Sequence, residues 1–177
     1  TNRWEPYETK LVIQHLEQGQ TFIDVGANIG YFSLIAADVV GPDGRVVSFE
    51  PDAKSYALLA ENISHFSFSQ VETVQAALSN CDDEGMLYMS EDNWGDHQIY
   101  QDGTSERESQ PIRLIRGDQF LLDRLDKIDF IKIDTQGAEY QVVSGLRQMI
   151  FNSLPSLQMI VEFWPQGLRQ ADSSGHQ

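Results

Sequence analysis

Residues 21–41 read TFIDVGANIGYFSLIAADVVG: a short β-like run, two glycines four apart, and an apolar helix-like run closed by Gly41. Glycine tolerates the positive φ of a tight strand-to-helix turn and lets the backbone approach a ligand closely. A strand entering a helix this way starts a βαβ unit, and the same alternation recurs downstream. RVVSFEP (45–51) reads as the next strand, DAKSYALLAENIS (52–64) as a helix with Asp52 as N-cap, and VETVQAAL (71–78) as a third strand. IDFIKID (128–134) is a strongly β-like strand, GAEYQVVSGLRQMI (137–150) one helix, and LQMIVEFW (157–164) a final strand. WEPYETKLVIQHLEQG (4–19) precedes them as a helical lead-in, and GDQFLLDRL (117–125) reads as a short helix. The alternation predicts an α/β fold with a mostly parallel central sheet.

The middle is less regular. GMLYMSED (85–92) and QPIRLIR (110–116) look like two strands around a polar stretch from about Asn93 to Ser109, a long loop of the kind that faces substrate. The tail QGLRQADSSGHQ is polar. The expected organisation is therefore a lead-in over 1–20, one domain over 21–165 and a polar tail over 166–177.

Charge excludes one class of partner. With 27 acidic against 12 basic residues the net charge is −15, which would repel a phosphate backbone, so nucleic acid is not expected as a substrate. Hydrophobic residues at 41% suit a globular chain, and no apolar stretch approaches membrane-spanning length. No basic segment with an apolar centre is visible near the amino terminus, and a cytoplasmic location is expected. Cys81 is alone, which excludes an intramolecular disulfide and a cysteine-rich metal site.

In a parallel sheet ligands sit beyond the carboxyl ends of the strands. Those ends carry Asp24–Gly30, Glu50–Asp52, Ala77–Asn80, Asp134–Glu139 and Glu162–Trp164. The helix after Gly30 offers free N–H groups and a positive dipole end to an anion. A dinucleotide turn would bind pyrophosphate there, but Asn28 replaces its central glycine and Asp24 would repel diphosphate. A ligand with both an ammonium and a carboxylate satisfies the turn, as the methionine part of S-adenosylmethionine does. Glu50 can accept from both hydroxyls of a ribose, and Pro51 offers an apolar surface to adenine. Glu50 would equally suit NAD, whereas Asp24 with Glu50 favours the sulfonium cofactor. The plainer readings are a helix-start acid for Asp24 and a solvated strand end for Glu50.

Lys132 and Asp134 lie on one strand face, two residues apart. A lysine in an apolar strand must be paired or reach solvent. Glu139 in the following helix turn complements the helix dipole or acts in catalysis, and Glu162 on the next strand can meet Lys132 or Asp134. His97, in NWGDHQIY beside Asp96, Trp94 and Tyr100, is either a pocket base or a surface histidine.

Taken in order, FIDVGANIGYFSLIAA, GPDGRVVSFEPDAKSYALLAENI, AALSN, DFIKIDTQGAE, VVSGL and IVEFWP strongly resemble the FkbM-type methyltransferase family, over roughly Thr21 to Pro165. The resemblance implies a Rossmann-like class I methyltransferase fold, a three-layer sandwich, with S-adenosylmethionine as cofactor. It implies Asp24, Gly26, Asn28 and Gly30 as the methionine-side loop, Glu50 as the ribose acid, Ala77 and Leu78 near adenine, and Asp134 between cofactor and acceptor. The family often has DVEGAE where this chain has DTQGAE, so Gln136 removes a charge and weakens the case for a metal. Mg²⁺ is possible through Asp96, His97, Asp134 and Glu162, but the spacing does not require it. The family's sheet usually ends in an antiparallel strand pair after the fifth strand; here the strands at 86–91 and 112–116 are expected to complete the sheet differently.

The expected reaction is methyl transfer to a hydroxyl of a small molecule or saccharide-like acceptor. Asp134 is the first candidate base and His97 the second, with Lys132 and Glu162 as further candidate catalytic groups. No NPPY or DPPY motif, common in methylation of base amino groups, follows the fourth strand, which favours oxygen. The alternatives are a small-molecule N-methyltransferase, a cofactor-binding domain without catalysis, and an NAD-dependent oxidoreductase.

Overall fold

The computed structural model describes residues 4–88 and 108–162. In chain order the elements are α1 (Pro6–His15), β1 (Thr21–Val25), α2 (Tyr31–Val40), β2 (Arg45–Phe49), α3 (Ala53–Phe66), β3 (Val71–Val74) and β4 (Ala77–Ser79). β5 (Asp83–Tyr88), β6 (Ser109–Arg116), α4 (Gly117–Leu121), β7 (Phe130–Ile133), α5 (Glu139–Gly145), α6 (Arg147–Ser153) and β8 (Gln158–Val161) follow. Five strands form a parallel sheet in the order β3-β2-β1-β7-β8. The order reverses between β1 and β7, which puts the ligand crevice at the carboxyl ends of those two strands.

Strand alternation separates the two sheet faces. Ile23, Val25, Val47, Phe49, Ile131 and Ile133 pack with Val142 of α5, Met149 of α6 and Leu146 between the two helices. Phe22, Val46 and Phe130 face Val12 of α1 and Phe32, Ala36, Ala37 and Val40 of α2. Helices on both sides of a parallel sheet give the three layers expected of a Rossmann-like fold.

Three readings of the sequence are changed. VETVQAAL is two strands: β3 ends the large sheet, and β4 pairs with β6 in a second one. The Val74 carbonyl accepts from both Glu50 N–H and Ala76 N–H, which turns the chain between them. The strands expected near 86–91 and 112–116 form an antiparallel pair, β5 with β6, but they join β4 rather than the parallel sheet. GAEYQVVSGLRQMI is two helices that part at Leu146. The Asp118 carboxylate restarts the second by accepting from Gln148 N–H at 2.9 Å and Met149 N–H at 2.8 Å. Among the described residues no helix is long and apolar enough to cross a membrane.

Candidate active site

The β1 turn is tied to the ends of two neighbouring strands. Gly26 N–H and Ala27 N–H both donate to the Phe49 carbonyl at 3.0 Å, and Asp134 N–H donates to the Val25 carbonyl at 3.0 Å. Gly26 has φ +80, and a Cβ built on it would overlap the Asp134 carbonyl oxygen. Asn28 stands at φ 50, a left-handed conformation that asparagine tolerates better than most side chains. The missing central glycine is thus replaced by a residue able to take the same backbone shape. Gly30, at φ +91, opens α2 and lies against Leu59.

Above these strand ends lies a cavity of about 690 Å³, a size that suits a small-molecule ligand. Gly26, Asn28, Glu50, Pro51, Ala77 and Leu78 line one part; Lys132, Asp134 and Glu162 line another. The sequence-predicted residues from five separate strand ends are brought together here. Asp24 and Gly30 are not among the walls, and His97 lies outside the described residues.

Asp24 departs from the expectation that its carboxylate meets the ligand. It sits on the α2 face of the sheet, buried, where its Oδ2 accepts from Ser33 Oγ at 2.6 Å. Its register partners are Ser48 on β2 and Lys132 on β7, and Ser48 Oγ lies 2.8 Å from Ser33 Oγ. A polar row therefore crosses three strands beneath the cavity. Burial raises the Asp24 pKa, with the nearby Lys132 ammonium working against the rise. Its Oδ1 is buried and has no hydrogen-bond partner among the described residues.

Lys132 is 4% exposed. Its Nζ lies 2.9 Å from Asp134 Oδ2 and 4.5 Å from the centroid of the Phe32 ring. Burial alone would lower its pKa, but Asp134 and Asp24 outweigh that and hold it charged. Burial likewise pushes Asp134 upward, and is outweighed by hydrogen bonding with Glu162 and by Lys132, so Asp134 stays below the usual carboxylate range. Glu162 is the complement: its hydrogen bond to Asp134, helped by burial, pushes its pKa up to about 8. The two carboxyls titrate as a pair, with Asp134 drawn down and Glu162 drawn up. Gln136, at φ 51, bridges them, its Nε2 donating to Asp134 Oδ1 at 3.2 Å and to Glu162 Oε2 at 3.4 Å.

Glu50 is buried at the other end. Its Oε2 accepts from Asn28 N–H at 2.8 Å and its Oε1 from Asp52 N–H at 2.9 Å. Burial raises its pKa to about 7 despite these two bonds. Each oxygen keeps a lone pair beside the cavity. Asp52 caps α3 as expected, its Oδ2 accepting from Ser55 N–H at 2.8 Å. Glu139 serves its own turn, with Oε1 accepting from Gly137 N–H at 2.8 Å and Thr135 Oγ1 at 3.1 Å.

Trp4, Glu5 and Tyr31 also line the cavity and were not singled out by the sequence. Ser33 and Ser48 were missed too, although FID, VVS and FIK each place a polar residue at the matching position of their strand. Among the described residues no group of three or more His, Cys, Asp or Glu is arranged to hold a metal ion.

A parallel sheet reversing at β1/β7, with a cavity walled by a glycine turn and a strand-end acid, is a Rossmann-like methyltransferase architecture. The chain belongs to the FkbM methyltransferase family: the signature of the Methyltransferase FkbM domain matches residues 24–169. A curated relative, methyltransferase sdnD of Sordaria araneosa, is 25% identical over 192 aligned residues, covering 89% of this chain and 71% of that protein. The fold is shared with methyltransferase FkbM from Methylobacillus flagellatus KT (TM-score 0.56, 19% identity, 79% of this chain and 32% of that one). It is shared also with a SAM-dependent O-methyltransferase from Thermotoga maritima (TM-score 0.57, 13% identity, 96% and 49%). This chain thus spans under half of either solved chain.

Proposed function

We propose that this cavity holds S-adenosylmethionine and that the chain methylates a hydroxyl of a small-molecule or saccharide-like acceptor. The observation that carries the reading is Glu50, a buried carboxylate already held by two backbone N–H groups and facing the cavity. The residues fit the cofactor. The Gly26–Gly30 turn and the start of α2 would hold the methionine end, Glu50 the ribose hydroxyls, and Pro51, Ala77 and Leu78 the adenine. Asp24 would act from beneath the turn, through its hydrogen bond with Ser33, rather than by direct contact.

When bound, the cofactor supplies a methyl group already activated on sulfur. The chain's own task is to orient an acceptor hydroxyl and take its proton. Asp134, held low by Lys132 and Glu162, is a weak base; Glu162, once deprotonated, is matched to a hydroxyl proton near neutral pH. Glu162 is accordingly the base and Asp134 the group that tunes it. Turnover should rise with pH through about 8, the value to which Glu162 is pushed. Glu162→Gln should remove that limb from a pH profile of kcat/KM; an unchanged limb would return the role to another group. Asp134→Ala should bind cofactor and move that limb to lower pH, because Glu162 loses the neighbour that raises it.

The cofactor is tested by calorimetry, in which S-adenosylhomocysteine should bind and NAD should not. Glu50→Ala should weaken S-adenosylhomocysteine about 100-fold, the equivalent of two hydrogen bonds at about 1.4 kcal/mol each. Because the folded-state pKa of Glu50 is raised, its contribution to stability is full below the ordinary carboxylate pKa and is lost as pH rises through about 7. Glu50→Gln should flatten that part of a urea-midpoint profile.

A further inference from the structure

Two cavity walls come from outside the sheet. Trp4 and Glu5, just before α1, line the same end as Asp134 and Glu162. Glu5 has φ 40 and ψ 66, a left-handed conformation that costs a non-glycine residue energy and is found at binding sites. Its carboxylate does not cap α1. It is half-buried beside Trp4 and lies within electrostatic reach of Lys132, Asp134 and Glu162. The segment is fastened by Thr9, whose Oγ1 donates to the Trp4 carbonyl at 3.0 Å and meets Tyr31 Oη at 3.3 Å. Trp4 is nevertheless 66% exposed, a large ring left open at the mouth.

We propose that Trp4 and Glu5 form the wall that selects the acceptor, the indole offering a flat apolar face to a sugar-like ring and the Glu5 carboxylate accepting from its hydroxyl or ammonium donors. This rests on the reading of the cavity as a methyl-transfer site. An anionic acceptor is turned away, because it would meet the carboxylates of Glu5 and Asp134 while Lys132 is engaged by Asp134. Neutral and cationic acceptors gain hydrogen bonds and, for an ammonium, attraction to the indole face. The strained Glu5 backbone holds the carboxylate in place before the acceptor arrives, which lowers the ordering cost of binding.

The test uses the whole chain saturated with S-adenosylhomocysteine, and ligand-observed saturation-transfer NMR with glucosamine and glucose-6-phosphate at equal millimolar concentration. Glucosamine should give a signal and the phosphate none. Glu5→Gln should weaken glucosamine roughly tenfold, the worth of about one hydrogen bond. Glu5→Lys should reverse the preference, an outcome that a merely structural role would not give. The affinity of each variant for S-adenosylhomocysteine is measured first, so that the sugars are compared at saturating cofactor. Absence of a glucosamine signal, equal binding of the phosphate by the unmodified chain, or an unreversed preference in Glu5→Lys overturns this proposal alone. Failure of S-adenosylhomocysteine to bind the unmodified chain overturns the cofactor reading, and this proposal with it.

Discussion

Replacing Lys132 by methionine should destabilise the fold by about 3–5 kcal/mol at neutral pH, the usual penalty for stripping one partner from a buried ion pair. Methionine preserves most of the stem volume, so the loss would report charge rather than a void. Two carboxylates depend on this ammonium. Asp134 is 2.9 Å away, and Asp24 faces it across the β1–β7 register with one oxygen lacking a hydrogen-bond partner among the described residues. Without Lys132 both would have to take up protons to remain inside. The penalty should therefore shrink as pH falls, because at low pH the carboxylates are neutral in either protein. Urea midpoints of the two proteins across pH would show the curves converging on the acid side. A small loss, or one independent of pH, would mean that Lys132 only fills space. The experiment also separates two views of the residue: a lysine set between two acids is a charge-balancing group, and its removal should disturb folding before it disturbs chemistry.

That dependence explains why parts of the site were legible in the sequence and others were not. The ends of β1, β2, β7 and β8 were readable because each closes a short apolar run at a glycine or an acid, and a parallel sheet must gather such ends on one edge. Asp52 was readable because an N-cap is local: its partner, Ser55 N–H, is three residues away. The division between α5 and α6 was not, since the apolar period runs unbroken through Leu146 and the capping carboxylate, Asp118, arrives from α4. Nor was the split between β3 and β4, for nothing in VETVQAAL shows that its halves join different sheets. Asp24 is the instructive case. Its position at the strand end placed it in the turn, but alternation put Phe22 and Asp24 on the α2 face, where Ser33, Ser48 and Lys132 wait. Sequence spacing located the residue; the face decided what it touches. Glu5 was illegible for the opposite reason, because an isolated acid before a helix has no period to mark it.

Gly26→Ala should be the most damaging single methyl group that can be added to the site. Two penalties combine. An alanine at φ +80 bears a left-handed cost of about 1–2 kcal/mol. The new Cβ would also overlap the Asp134 carbonyl oxygen, and because that atom is backbone no rotamer change can clear it. Overpacking of this kind costs about 1–3 kcal/mol more. The strain has only two outlets. Either the turn breaks its bonds to the Phe49 carbonyl, or the start of the Asp134 loop leaves the Val25 carbonyl. The first displaces the proposed methionine cradle and the second moves Asp134 and Glu162, so affinity for S-adenosylhomocysteine should fall at least 100-fold, about 2.7 kcal/mol. Gly19→Ala is the matched control: Gly19 has φ +77 and nothing within 4 Å of a built Cβ, so it carries the backbone cost without the collision. The difference in melting temperature and in affinity between the two variants isolates the contact between the β1 turn and the end of β7. If the two prove equally stable and bind equally well, that close approach is not what shapes the cavity, and the site must be organised by Glu50 and the start of α2 instead.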